Sequence, residues 1–226
     1  MCGRFTLQIP AELLAELFGL PDPSEIPARY NIAPTQQVAV VRRHDGGGNR
    51  LDFLKWGLIP SWAKDPSIGP KMINARSETL EEKPAFRTAF KFRRCLVPAS
   101  GFYEWEVLGG KKIPRYFSLR EGAPMVFAGL WESWKAPDGA SVESCTILTT
   151  AANSLIEPLH LRMPVILHPT NFAPWLDGNL TDPGKLKGLL QPYPAEGMEA
   201  WTVSTLANSV KNDHAGLIEP VAPACG

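Results

Sequence analysis

Apolar residues in this chain recur mostly in short alternating or continuous runs, and seldom at helical spacing. The clearest helical stretch is 10–20, where Leu13, Leu14, Leu17 and Phe18 share one face, Pro10 suits the first turn and Gly19 offers a C-terminal cap. Two strands, 38–42 and 51–56, are predicted across Gly46-Gly47-Gly48 as a hairpin. Further strands are predicted at 94–98, 102–107, 116–119, 125–131, 144–150, 164–167 and 201–204. Residues 73–79 read as the start of a short helix, and 84–90, 171–176 and 183–190 as short helices. Strands follow one another without regular intervening helices, which argues against a doubly wound sheet. The expected fold is α+β: one domain over 1–226, a largely antiparallel, barrel-like sheet flanked by short helices, and a mobile tail over 221–226.

Composition sharpens this picture. The 22 prolines and 7 tryptophans fit many short elements joined by rigid turns. Lys plus Arg (23) equals Asp plus Glu (23), so bulk electrostatics excludes a histone-like nucleic-acid binder but leaves room for a local basic groove. No apolar run approaches the ~18–20 residues of a membrane span. The four cysteines, Cys2, Cys95, Cys145 and Cys225, form no C-x-x-C pair, so neither a metal site nor a disulfide framework is expected, and a reducing cytoplasm fits best. No cofactor is implied.

The candidate chemistry starts at Met1-Cys2-Gly3-Arg4-Phe5, which lacks the apolar segment of a secretory signal. Cys2 is small enough for ordinary methionine removal. A chain beginning at cysteine carries an α-amine of reference pKa ~7.7–8.0 beside a thiol near ~8.5. The amine condenses with an aldehyde to an imine, and the thiol closes a five-membered ring on it. The alternative is a Cys buried as a small hydrophobe.

Three polar residues stand in apolar settings. Glu104, in Gly101-Phe102-Tyr103-Glu104-Trp105, is either on a solvent face or desolvated, in which case it holds a proton near neutral pH. His160 precedes an apolar strand and is either an acid–base group or a structural histidine. Asn74 either orients an amine or carbonyl or caps a helix. Separately, Arg87, Lys91, Arg93 and Arg94 interleave with Phe86, Phe90 and Phe92. That pattern suits single-stranded nucleic acid, and equally a solvated helix face over a phenylalanine core.

Taken in order, several segments resemble the SRAP family, the SOS-response-associated peptidases or abasic-site processing proteins. They include Met1-Cys2-Gly3-Arg4-Phe5, Arg29-Tyr30-Asn31-Ile32-Ala33-Pro34, Trp56-Gly57-Leu58-Ile59-Pro60 and Ile73-Asn74-Ala75-Arg76-Ser77-Glu78-Thr79. They continue through 94–105, Thr149-Thr150-Ala151-Ala152-Asn153, His160 with Arg162-Met163-Pro164, and Lys211-Asn212-Asp213. The resemblance implies a protein that binds single-stranded DNA containing abasic sites and captures them as a thiazolidine on Cys2. With the composition, this gives an expectation of no membrane and of a DNA-associated cytoplasmic location, and no obligatory protein partner is inferred. Cys2 looks like the nucleophile and Asn74, Glu104 and His160 like its helpers. Arg4, Asn31, Pro34, Trp62, Arg76, Trp105, Thr149 and Arg162 are the expected DNA-facing residues. A weak lyase activity by β-elimination is a corollary of the imine. One departure is Leu161, where the family often has an acid after the histidine. The rival readings are a cysteine peptidase using Cys2, His160 and Asn74, if only to remove Met1, and a non-covalent single-strand binder.

Overall fold

The computed structural model of the protein describes residues 2–21, 26–44 and 46–221. Met1, part of the proline-rich connector, Asp45 of the expected hairpin turn, and Cys225 with all of the expected tail except Val221 lie outside the described residues. In chain order the described elements are β1 (Phe5–Leu7), α1 (Ala11–Phe18), β2 (Arg29–Ile32), β3 (Gln37–Arg43), β4 (Asn49–Trp56) and β5 (Asn74–Arg76). Then come α2 (Arg87–Phe92), β6 (Arg94–Ala99), β7 (Gly101–Leu108), β8 (Lys111–Leu119), β9 (Met125–Lys135) and β10 (Ser141–Ala151). The last are β11 (Arg162–Pro164), α3 (Phe172–Leu176), α4 (Pro183–Gly188) and β12 (Met198–Thr202). The fold is α+β.

Five strands close on themselves into a small barrel. β3 pairs antiparallel with β4 and with β6, β6 with β9, and β9 with β10, and β10 returns to β4 in parallel through Ser144↔Lys55 and Cys145↔Trp56. Closure removes exposed edges, and it explains why β6 is buried along its whole length. β10 outlasts the barrel. Beyond Thr146 it pairs with β5 on one edge (Ile147↔Asn74 to Thr149↔Arg76) and with β11 on the other (Thr149↔Pro164 to Ala151↔Arg162). That extension carries much of the candidate chemistry.

The second sheet runs β12-β8-β7-β1-β2, all antiparallel. Its inner face meets the barrel through aromatics: Phe5 lies edge-on to Trp56 (5.2 Å) and Phe127 (5.8 Å), and Phe102 stacks on Phe117 (5.2 Å). Ser100 alone separates β6 from β7, so one chain passes from barrel to sheet in a single step; its N–H donates to Thr6 O at 2.8 Å and its Oγ accepts from Gln8 N at 2.7 Å. Gly101 is required there, because a Cβ would sit 2.4 Å from Tyr116 Oη and 2.5 Å from Phe117 O.

Helix α1 fits the expected stretch, with Leu14 and Phe18 buried and Gly19 in the left-handed C-cap conformation (φ 62°). Residues 73–79 are not a helix. Asn74 to Arg76 form β5 and only 77–79 turn into one 3-10 turn, because Ile73 O accepts from Ile147 N (3.1 Å) and parallel pairing to β10 takes over the backbone. Asn74 therefore caps no helix. α2 starts at Arg87 rather than 84, since Lys83 to Phe86 form a separate turn closed by Phe86 N to Lys83 O (2.9 Å). The strand expected at 116–119 begins at Lys111 and runs through Pro114.

Candidate functional site

The chain ahead of β1 runs beside β7, with Tyr103 N donating to Arg4 O at 3.0 Å. This carries Cys2 into the interior, where it is fully buried within the main core. Asn74 reaches it from β5: Nδ2 donates to Cys2 O at 2.8 Å, while its Oδ1 is buried without a hydrogen-bond partner. Glu104, on β7 and 6% exposed, faces the same side of the strand as Phe102 and is near enough for its charge to act on the Cys2 thiol. Desolvation raises that thiol's pKa far above its ordinary value; the Glu104 carboxylate raises it further, and a hydrogen bond from the Arg4 backbone opposes the rise. The thiol is thus neutral at rest.

His160 stands at the end of the turns that follow Asn153, with its backbone N–H on Ile156 O at 3.0 Å. Its Nδ1 accepts from Arg162 N at 2.9 Å, which places the proton of the neutral ring on Nε2; the same nitrogen lies 3.1 Å from Arg162 O, a contact it donates to only when protonated there. Leu161 is 74% exposed and takes no part in orienting the ring.

Arg162 is itself braced. Nη1 and Nη2 donate to the two Glu78 oxygens at 2.6 and 2.8 Å, and Nη2 also donates to Thr149 O at 2.6 Å. The pair holds the Glu78 carboxyl below its ordinary value, chiefly through the Arg162 hydrogen bonds. Buried Thr149 in turn donates from Oγ1 to Ala75 O at 3.4 Å, linking β11, β10 and β5. Sequence reasoning missed Glu78; its signal was a carboxylate two residues after Arg76 in a segment read as helical.

The remaining expected residues fall into two groups. Trp62 is 58% exposed on a loop pinned by Ile59 N to Ser144 Oγ (2.8 Å) and by Trp134 Nε1 to Ala63 O (2.6 Å). With Asn74, exposed Arg76, Lys83 and Phe86 it lines a groove of about 570 Å³. Arg4 lies 5.5 Å over the Trp105 ring and donates to Asn31 Oδ1 at 2.7 Å and Ala207 O at 3.1 Å. Asn31 is 1% exposed and turns inward, its Nδ2 donating to Ser209 O (2.9 Å) and Asn212 O (2.7 Å). Trp105 Nε1 donates to Asn208 Oδ1 at 2.7 Å. Pro34 is half-buried in the turn from β2 to β3, where Thr35 (φ 73°) donates its N–H to Trp56 O. A hydrogen bond thus joins Asn74 to Cys2, the charge of Glu104 acts on the Cys2 thiol, and His160 is bonded to Arg162, which Thr149 ties to β5.

Among the described residues no His, Cys, Asp and Glu cluster could hold a metal ion, and no helix is long and apolar enough to cross a membrane.

The family model described as SOS response associated peptidase (SRAP) matches residues 1–210. The chain belongs to the SRAP family. Among SRAP relatives, the Bacillus subtilis abasic site processing protein YoqW is 50% identical over 224 residues, covering 97% of this chain and 99% of that one. Escherichia coli abasic site processing protein YedK is 31% identical and covers 98% and 100%. Chicken abasic site processing protein HMCES is 32% identical over 85% of this chain and 66% of its own. A crystal structure of a Bacteroides thetaiotaomicron protein has the same fold, with a TM-score of 0.87 at 26% identity over 98% of this chain and all of that one.

Proposed function

We propose that this protein processes abasic sites in single-stranded DNA by forming a covalent thiazolidine with the deoxyribose aldehyde, on Cys2 made N-terminal by loss of Met1. The observation that carries this reading is Asn74 Nδ2 held on Cys2 O at 2.8 Å with a buried, unpartnered Oδ1 beside it. In our reading that oxygen accepts from the Cys2 amine and aims its lone pair at C1′. Glu104 moves the proton that opens the ring-closed sugar, and His160 hydrogen-bonds the hydroxyl that opening releases. The amine adds to C1′, water leaves, and an imine remains. The Cys2 sulfur then bonds C1′, and its proton ends on the ring nitrogen, by way of Glu104. One water is released overall.

The raised thiol pKa favours this order of events. A peptidase nucleophile needs a thiolate from the outset, whereas here burial and Glu104 keep the sulfur protonated until the imine draws it in. Arg4, Arg76 and Arg162 are assigned to phosphates, and Trp62, Pro34 and Trp105 to the flanking bases. Buried Asn31 and Thr149 are assigned to positioning Arg4 and Arg162. That YoqW and HMCES are abasic site processing proteins supports DNA containing abasic sites as the substrate.

The test is a denaturation-resistant adduct with an abasic single-stranded oligonucleotide. Cys2→Ala should abolish it, and so should an extra residue that blocks the Cys2 amine. Full crosslinking by the N-terminally extended protein would sink the proposal.

A further inference from the structure

The basic and aromatic run at 86–94 is only partly used by the fold. Phe90 is buried, and Arg94 is a buried strut whose guanidinium donates to the carbonyls of Phe90, Lys91, Trp175 and Asp177. Arg93 is paired with Glu132 at 2.6 Å. Arg87, Lys91 and Phe92 remain on the exposed face of α2, and Phe92 is 60% exposed. An exposed Phe between two cations costs solubility and contributes nothing to the core, so the packing of the fold does not account for it.

Phe92 forms the ridge between two clefts. One, of about 200 Å³, is lined by Arg43, His44, Arg94 and Trp131; the other, of about 470 Å³, by Glu81, Arg87, Lys91 and Pro183. Neither cleft shares a lining residue with the groove that contains Trp62 and Asn74. Arg43 and His44, at the end of β3, bring further donors to the far side of the ring, and both are exposed. The one acid lining either cleft, Glu81, is in an ion pair with Lys187. In a chain of zero net charge, this is a local concentration of cations around an accessible aromatic face.

We infer that the outer face of α2 is a second, non-covalent contact for single-stranded DNA, with a base stacked on Phe92 and the flanking phosphates on Arg87 and Lys91 to one side and Arg43 to the other. Stacking needs only a π-face and the phosphates only cations at backbone spacing, so the contact is indifferent to sequence and to the lesion. The inference rests on the proposed function for the choice of DNA, and its test is separable from that reading.

Binding is measured by fluorescence anisotropy on base-complete strands, one of about 30 nucleotides, longer than the ~4–16 nucleotides that one small single-strand-binding site covers, and one of about 6, enough for a single site only. Phe92→Ala should weaken binding of the long strand about five-fold or more, and Phe92→Tyr should restore it where Phe92→Leu does not. Arg87→Ala with Lys91→Ala should lower the slope of log affinity against log salt by about 1.4, the value for two phosphates on single strands. The short-strand affinity and the rate of adduct formation with a short abasic oligonucleotide should stay at wild-type values in all these variants. Unchanged long-strand affinity in Phe92→Ala and in the double variant overturns the inference and leaves the patch to an acidic protein. A wild type that binds the long strand no more tightly than the short one overturns it too, whatever the outcome of covalent capture.

Discussion

Asn31→Ala is the substitution whose cost can be worked out most fully. The Asn31 carboxamide ties Arg4, two residues from Cys2, to the loop at 207–212: Oδ1 accepts from Arg4 Nη1 at 2.7 Å, and Nδ2 donates to Asn212 O at 2.7 Å and Ser209 O at 2.9 Å. A charge-assisted hydrogen bond contributes ~1.5–3 kcal/mol and each neutral one about 1. Water reaches the exposed Ser209 end and recovers part of this, so the expected loss is about 3 kcal/mol. For a chain of this size that lowers Tm by roughly 6–12 °C. Urea denaturation with a common m value gives the free energy, and limited proteolysis reports whether the 205–213 segment loosens first. Thiazolidine formation should slow with it, because Arg4 loses the acceptor that fixes it over Trp105. A loss below 1 kcal/mol together with a large drop in DNA affinity would refute the strut and make Asn31 a DNA contact.

Other outcomes follow from single features of the structure. Gly101→Ala should fail to yield folded protein, since the methyl group would overlap Tyr116 Oη and Phe117 O; recovery of a cooperative Tm near wild type would contradict the close approach. Burial pushes the Cys145 thiol up to about 12 and the Cys95 thiol well above its ordinary value. The unfolded chain ionises these thiols from about pH 8.5 while the folded chain keeps its protons, so stability should fall as pH rises past that point, by up to ~1.4 kcal/mol per pH unit for each thiol. A flat stability profile from pH 8 to 10 would count against it. Glu78→Gln releases Arg162 from a bidentate carboxylate and should tighten single-stranded DNA binding while steepening its salt dependence by up to about 0.7. Unaltered binding would mean that Arg162 meets no phosphate.

Much of the fold was legible where local pattern and tertiary pairing agree. The β3–β4 hairpin, the α1 cap at Gly19 and the succession of antiparallel strands all follow from periodicity and turn residues. What was not legible depends on distant pairing. β5 reads as the start of a helix until parallel β10 claims its backbone, and β1 is three residues long, too short to show a period. The candidate site divides the same way. Glu104, read as either exposed or desolvated, is buried on a strand whose two faces both pack, Phe102 into the main core and Tyr103 into a second cluster with Tyr116 and Val203. No spacing could reveal that Asn74 meets Cys2 across 72 positions, nor that Glu78 occupies Arg162. The resemblance pointed to both Asn31 and Arg4 as DNA-facing, but the geometry turns the Asn31 side chain inward onto Arg4 and the C-terminal loop.

The proposal that an N-terminal aminothiol at Cys2 is the reactive centre is tested most directly by intact-mass analysis of the purified protein, with and without an abasic single-stranded oligonucleotide. The expected spectra are a chain lacking Met1 and, after mixing, a species at the sum of that chain and the oligonucleotide less one water, absent for Cys2→Ala. A protein that keeps Met1 and still forms the adduct, or one that lacks Met1 and forms none, would contradict the account.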